Sequence, residues 1–259
     1  MIHKLLFALV LLTLFIYGDA LQCTQEFIYK KLATEVDLTK SIIPCQPRTG
    51  KLEFSHITKT GGTTIEEVAR SNVLWGNANR NKYPQFGCGT TSAWHVPRQF
   101  CERDPYAGSD VFIVIRNTST RVISEYNCPW RGFRGEDAGN PEVLNTWIKI
   151  NMRFRLGGDG WMKQHFHMAP QSLYAIDPEG KVNVDAILRF ETLGRDFNML
   201  MEVYGLDIKL NLSTTHKQLP LYARTGNTDR KSLTVQDLDQ ESLALVNEFY
   251  SKDIQVFGY

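Results

Sequence analysis

Neither sign of charge predominates in this sequence. Its 29 lysines and arginines face 28 aspartates and glutamates, a formal net charge of +1 over 259 residues, so no global field exists to collect nucleic acid or bulk polyanion. Any anion has to be gripped locally. Low-complexity tracts and internal repeats are missing, and no Pro/Gly/Ser-rich linker interrupts residues 46 to 259, which argues for one domain rather than tandem modules. The close CxxC spacing of a zinc site is absent. So is the GxxxxGKS or GxxxxGKT run of magnesium-dependent phosphate binders. What the chain does have is a hydrophobic share of 42%, which excludes disorder and supplies a sizeable core.

The amino terminus carries LLFALVLLTLFIYG after Met1, Ile2, His3 and Lys4, a targeting segment. It is short for a membrane span of roughly 20 residues, and Gly18 and Ala20 offer small side chains at a cleavage point. A cleaved signal peptide over residues 1–20 fits these features; an uncleaved type II signal anchor is the other reading. Either places the rest in the secretory pathway, as a stem over 21–50 and a domain over 51–259. Five cysteines, Cys23, Cys45, Cys88, Cys101 and Cys128, then meet an oxidising compartment where pairing is the default. Spacing leaves the connectivity open; Cys88 with Cys101 and Cys23 with Cys45 are the expected pairs, with Cys128 left over. Asn211 with Ser213 and Asn117 with Ser119 form glycosylation sequons.

After the stem, short apolar runs alternate with helical patterns. KLEFSHI reads as a strand, and TTIEEVARSNVL opens with hydroxyls and then glutamates, as helix starts do. VFIVI is a continuous apolar run of the buried parallel-strand kind, followed by helical spacing in TSTRVISEY. SLYAI and DAILRF read as further strands. ETLGRDFNMLMEVYG reads as a helix stopped at Gly205, and SLTVQDLDQESLALVNEFY as another opening at Ser232 or Thr234. The fold class is therefore α/β, a central parallel sheet flanked by helices, with ligands expected at the carboxyl ends of its strands.

Two stretches carry chemistry. In FSHITKTGGTT, a strand breaks into a lysine, two glycines and a helix start. Such a turn aims amide N–H groups and the helix dipole at one point, which suits an anion. Lys59 adds a full charge there, and Thr60, Thr63 and Thr64 add donors. In IVIRNTSTRVISEYN, Arg116 closes the second strand and Ser124 lies two helical turns on, so the pair suits a second anion.

In this order the stretches resemble the carbohydrate sulfotransferases of the secretory pathway, which include the heparan sulfate O-sulfotransferases. There HIPKTGGT holds the 5′-phosphosulfate of PAPS (3′-phosphoadenosine 5′-phosphosulfate), and a segment like LRDPVSRLLSEY holds its 3′-phosphate. QSLYAI…VDAILRFETLGRDF and the closing FYSKDIQVFGY are further echoes. The resemblance implies a P-loop-containing sulfotransferase-like fold and PAPS as sulfuryl donor, released as PAP, without a metal. It implies that Lys59, Thr60, Gly61, Gly62, Thr63 and Thr64 grip the 5′ end, and Arg116 with Ser124 the 3′-phosphate. Arg224, Thr225, Arg230, Lys231 and Ser232 lie where the family has a late basic loop over the nucleotide. Thr58 stands in place of the usual proline, and Asn117, Thr118 and Ser119 in place of Asp-Pro-x, which leaves the source of loop rigidity open.

Sulfuryl transfer is in-line displacement, so positioning and charge stabilisation carry it. Lys59 suits the charge that develops on the leaving oxygen. A sugar hydroxyl also needs a base. His95, in GCGTTSAWHVPR between the two motifs, is the choice, with Glu66 and Glu67 as runners-up and His56 as loop support. His165 and His167 face either the acceptor or solvent, and Trp130, Arg131, Phe133 and Arg134 suit stacking on and pairing with an acidic sugar. Glu191 is expected to make a structural hydrogen bond to the late basic loop. The expected partner is a glycan or glycoprotein acceptor in the Golgi lumen or secreted space, with no nucleic acid and no membrane contact beyond the anchor. A tyrosine or small-molecule acceptor, a non-catalytic glycan-binding relic and a nucleotide kinase are the competing readings.

Overall fold

The computed structural model describes residues 23–70, 75, 86–88, 95–158, 166–210 and 233–259. Its centre is a three-stranded, wholly parallel sheet in the order β1 (Leu52–Phe54), β2 (Asp110–Ile115), β3 (Ala186–Arg189). Phe54 pairs with Phe112, and Phe112 with Ala186. The continuous apolar run of β2 is explained by burial on both faces. Val111, Ile113 and Ile115 enter one core with Ile57, Ile187, Tyr174 and Phe257. Phe112 and Val114 enter the other with Phe54, Leu188, Phe197 and Leu200. Each such side chain contributes about 1.5–3 kcal/mol on leaving water.

Helices α1 (Gly62–Arg70), α2 (Thr118–Tyr126), α3 (Pro141–Leu156), α4 (Ser172–Ala175), α5 (Leu193–Val203), α6 (Gln240–Phe249) and α7 (Ser251–Phe257) surround the sheet. A third core joins α2, α3 and α6 through Val122, Tyr126, Leu144, Ile148, Met152, Val246 and Tyr250. Among the described residues no helix is long and apolar enough to cross a membrane; the amino-terminal run lies outside them.

Three sequence expectations are corrected. SLYAI is not a strand: Ser172–Ala175 is one turn of helix, and only Ile176 makes an isolated bridge, to Val182. Buried Asp253 decides this, because its carboxylate accepts from the amides of Gln171 (2.7 Å) and Ser172 (2.8 Å) and so caps the turn. The last helix opens later than Ser232 or Thr234. Thr234 instead caps a 3₁₀ turn, Val235–Asp237, and Asp239 caps α6 by accepting from the amide of Ser242 at 2.8 Å. Residues 23–50, expected as a stem of unsettled order, lie against the sheet. Ile42 exchanges two backbone hydrogen bonds with Ile187 at 2.7 and 2.9 Å and so occupies the open edge of β3. Ile43 is fully buried. The disulfides join Cys23 to Cys45 and Cys88 to Cys101, and Cys128 is free and buried.

Asp253→Ala is expected to lower stability by about 2–4 kcal/mol, since two buried amides lose their acceptor. Urea denaturation measures it, and a loss below about 1 kcal/mol would show that α7 does not hold α4.

Candidate active site

Both motif stretches leave the carboxyl ends of neighbouring strands, and they touch. The guanidinium of Arg116 donates to the main-chain carbonyl of Lys59 at 3.1 Å and to Thr120 Oγ1 at 3.0 Å. Its plane lies over the ring of Phe190 at 4.1 Å. The side-chain amide of Gln171 brackets the main chain of Arg116, accepting from its N–H and donating to its carbonyl, each at 2.8 Å. Asp253 in turn fixes Gln171. Sequence reading missed Gln171, Phe190 and Asp253, because their parts depend on which segments meet.

In the first motif, Lys59 adopts φ 66° and Gly61 φ 91°. The left-handed region is unusual for lysine and marks a backbone held by its surroundings. Gly62 is required by contact: a Cβ there would lie 2.0 Å from Nε2 of His56. Thr60 corrects one expectation. Its hydroxyl is fully buried and donates to the carbonyl of Ile57 at 2.8 Å, so it holds the turn rather than facing a ligand. Thr63 is exposed and Thr64 half-buried at the start of α1, where first-turn amides point outward.

Hydrogen bonds stand where the missing prolines would be. The hydroxyl of Thr58 donates to the carbonyl of His167, while the carbonyl of Thr58 accepts from Arg121 Nε at 3.0 Å. Arg121, 2% exposed, also donates to the carbonyls of Ala169 (2.8 Å) and His167 (3.2 Å). In the second motif the Asn117 side chain caps α2, accepting from the amide of Thr120 at 3.2 Å.

Arg116 and Ser124 line one cavity of about 540 Å³, with Thr120, Ile123, Asn127 and Leu233 among the other walls. Burial pulls the guanidinium of Arg116 below its ordinary value, and the charge of Glu191 opposes this; it stays cationic at neutral pH. A half-buried cation, a hydroxyl and apolar walls in a space of this size fit a nucleotide bearing a phosphate. Glu191 does not need the late loop for partners: it accepts from the amide of Asn117 at 3.0 Å and from the hydroxyl of Tyr259 at 3.2 Å. Arg224, Thr225, Arg230, Lys231, Ser232 and His165 lie outside the described residues.

Beside the Lys59 loop the histidines form a row. The rings of His56 and His95 stand 4.3 Å apart, and those of His95 and His167 5.5 Å apart. His56 pairs with the runner-up base Glu66 at 2.7 Å, both buried, so Glu66 is engaged beneath the loop; Glu67 is exposed. His95 Nδ1 lies 3.2 Å from the carbonyl of His56. Burial first, then the neighbouring His56 and His167, hold His95 well below its ordinary range. It is therefore neutral, with Nδ1 protonated toward the carbonyl and the lone pair on Nε2. Against burial, hydrogen bonds to Cys128 and Glu125 push His167 up to about 9. Of the aromatic stretch, Trp130 is 65% exposed and Arg131 and Arg134 are exposed, whereas Phe133 stacks on Tyr126 in the third core.

A model of the sulfotransferase family matches residues 46–259. The chain belongs to that family, and a three-stranded parallel sheet flanked by helices is the α/β, P-loop-like arrangement expected of it. Membership makes sulfuryl transfer from a sulfuryl donor the general activity. No curated protein and no solved structure matches the chain.

Arg121→Met is expected to cost about 3 kcal/mol or more by leaving the Thr58 and Ala169 carbonyls without donors and the His167 carbonyl with the Thr58 hydroxyl alone. Chemical denaturation reads this directly; an unchanged midpoint would show that the loop is held by something else.

Proposed function

We propose that this protein is a PAPS-dependent O-sulfotransferase that modifies a hydroxyl of a glycan in the lumen of the secretory pathway. One observation carries the reading: the guanidinium of Arg116 bonds the main chain of Lys59 at 3.1 Å, so two anion cradles lie side by side. A nucleotide charged at both its 3′ and 5′ ends fits such a pair. Two disulfides fit an oxidising lumen.

Bound PAPS would supply the sulfuryl group and its phosphate leaving group. Arg116 and Ser124 hold the 3′-phosphate in the 540 Å³ cavity. Lys59 and the amides opening α1, flanked by Thr63 and Thr64, hold the 5′ end. The Lys59 ammonium stabilises charge arising on the leaving oxygen, a gain realised in the transition state rather than the ground state. His95 takes the proton of the acceptor hydroxyl at Nε2, for which its neutral form suits it. Trp130, Arg131 and Arg134 give the acceptor an exposed aromatic and cationic rim.

PAP is expected to raise the unfolding midpoint without magnesium, because a ligand that binds only the folded state stabilises it. Stabilisation by ATP with magnesium instead would turn the reading toward a kinase. Arg116→Ala is expected to weaken PAP binding by calorimetry, and wild-type affinity in that variant would remove the 3′-phosphate assignment. His95→Ala is expected to keep PAP binding while turnover falls about 100-fold or more, the scale of general-base loss. Mass-shift screening of PAPS with glycans and tyrosine peptides identifies the acceptor; transfer to tyrosine alone would overturn the glycan assignment.

A further inference from the structure

The sulfuryl-transfer reading leaves one largely buried cluster without a task. At the carboxyl end of α2, Glu125 and Cys128 project three residues apart, and His167 meets them from the segment before α4. His167 Nδ1 and Glu125 Oε1 are 3.1 Å apart, and the ligand atoms of all three residues lie within 4.8 Å of one another. Glu125 is 2% exposed, and its second carboxylate oxygen, Oε2, is buried with no hydrogen-bond partner among the described residues. An orphaned buried oxygen, on a carboxylate whose other oxygen meets the imidazole, is costly unless something else binds it. Cys128 is held in place by a tight turn: its carbonyl accepts from the amide of Gly132 at 2.8 Å, and a Cβ on Gly132 would strike the main chain of Glu125, Tyr126 and Cys128.

We propose that Glu125, Cys128 and His167 form a binding site for a zinc-class divalent cation. One sulfur, one nitrogen and one carboxylate are the donors zinc takes, and three protein ligands leave a fourth position open. Calcium and magnesium, which require oxygen ligands throughout, do not suit it. His167 gives up its proton on binding, and two anionic ligands with a neutral imidazole then balance the divalent charge, so the filled site buries no net charge. The site is linked to the loop. The main-chain carbonyl of His167 accepts from Thr58 and Arg121, so an ion gripping the His167 ring ties α2 to the support of Lys59. This cation is separate from sulfuryl transfer and is not required for it.

Cobalt(II) titration of the full lumenal chain tests the proposal. Because the other four cysteines are in disulfides, a thiolate-to-cobalt charge-transfer band has one source, Cys128. Wild type is expected to develop that band at one equivalent and to lose it on adding zinc. Cys128→Ser is expected to abolish the band, and Glu125→Gln to weaken cobalt binding by more than about 100-fold, beyond the roughly 10–100-fold that loss of an outer partner costs. Absence of the band in wild type, or its persistence in Cys128→Ser, would overturn the site. The wild-type spectrum decides the matter even where a buried variant fails to fold, and neither PAPS nor turnover enters the measurement.

Discussion

The hydrogen bond from the Arg116 guanidinium to the Lys59 carbonyl at 3.1 Å, beside the one from Arg121 to the Thr58 carbonyl at 3.0 Å, ties the two motif stretches together. They lie 57 residues apart in sequence and leave different strands. Their relation therefore depends in part on the scaffold that fixes Arg116. That scaffold is a relay: Asp253 on α7 holds the amide of Gln171, and the Gln171 side chain brackets the main chain of Arg116. Phe190 completes it from the turn just after β3, lying against the guanidinium and beneath Gly61. The carboxyl-terminal helix thus positions a group at the mouth of the sheet. Preorganisation of this kind matters because sulfuryl transfer draws on placement and fixed charge more than on covalent help.

The departures from the family pattern have a physical answer. A proline stiffens a loop by fixing one torsion. In this chain buried Arg121 ties three carbonyls together instead, with Thr58 bonded at both its hydroxyl and its carbonyl. Asn117 does for α2 what a capping aspartate does elsewhere, by accepting from Thr120. Rigidity has moved from the backbone covalent structure to buried, charge-assisted hydrogen bonds, which are strong where water is excluded.

Three histidines in a row show how neighbours set chemistry. His95 sits beside two other imidazoles with a carbonyl as its bonded partner, and burial keeps it neutral. His167 sits beside a carboxylate and a thiol and holds a proton more tightly. Identical side chains a few ångströms apart are thereby sorted into a neutral imidazole and a member of a charged cluster.

The sequence by itself determined the elements whose cause is local. β2 was legible because a strand buried on both faces has to be apolar throughout, and α2 and α5 because their apolar periodicity and stop signals lie within a few residues. The lysine and glycines of the first motif, and the Arg116–Ser124 spacing, were legible for the same reason. What only the tertiary structure decided is everything set by distant partners. SLYA, apolar enough for a strand, is a helical turn because Asp253, 81 residues away, caps it. Residues 23–50 read as a stem, yet Ile42 completes the edge of β3 because an open parallel edge leaves unpaired peptide groups. Thr60 resembles a ligand donor until its hydroxyl is found bonded inside the turn. Propensity and periodicity act over a few residues, whereas hydrogen-bond satisfaction in a buried interior is settled by whichever groups the fold brings together.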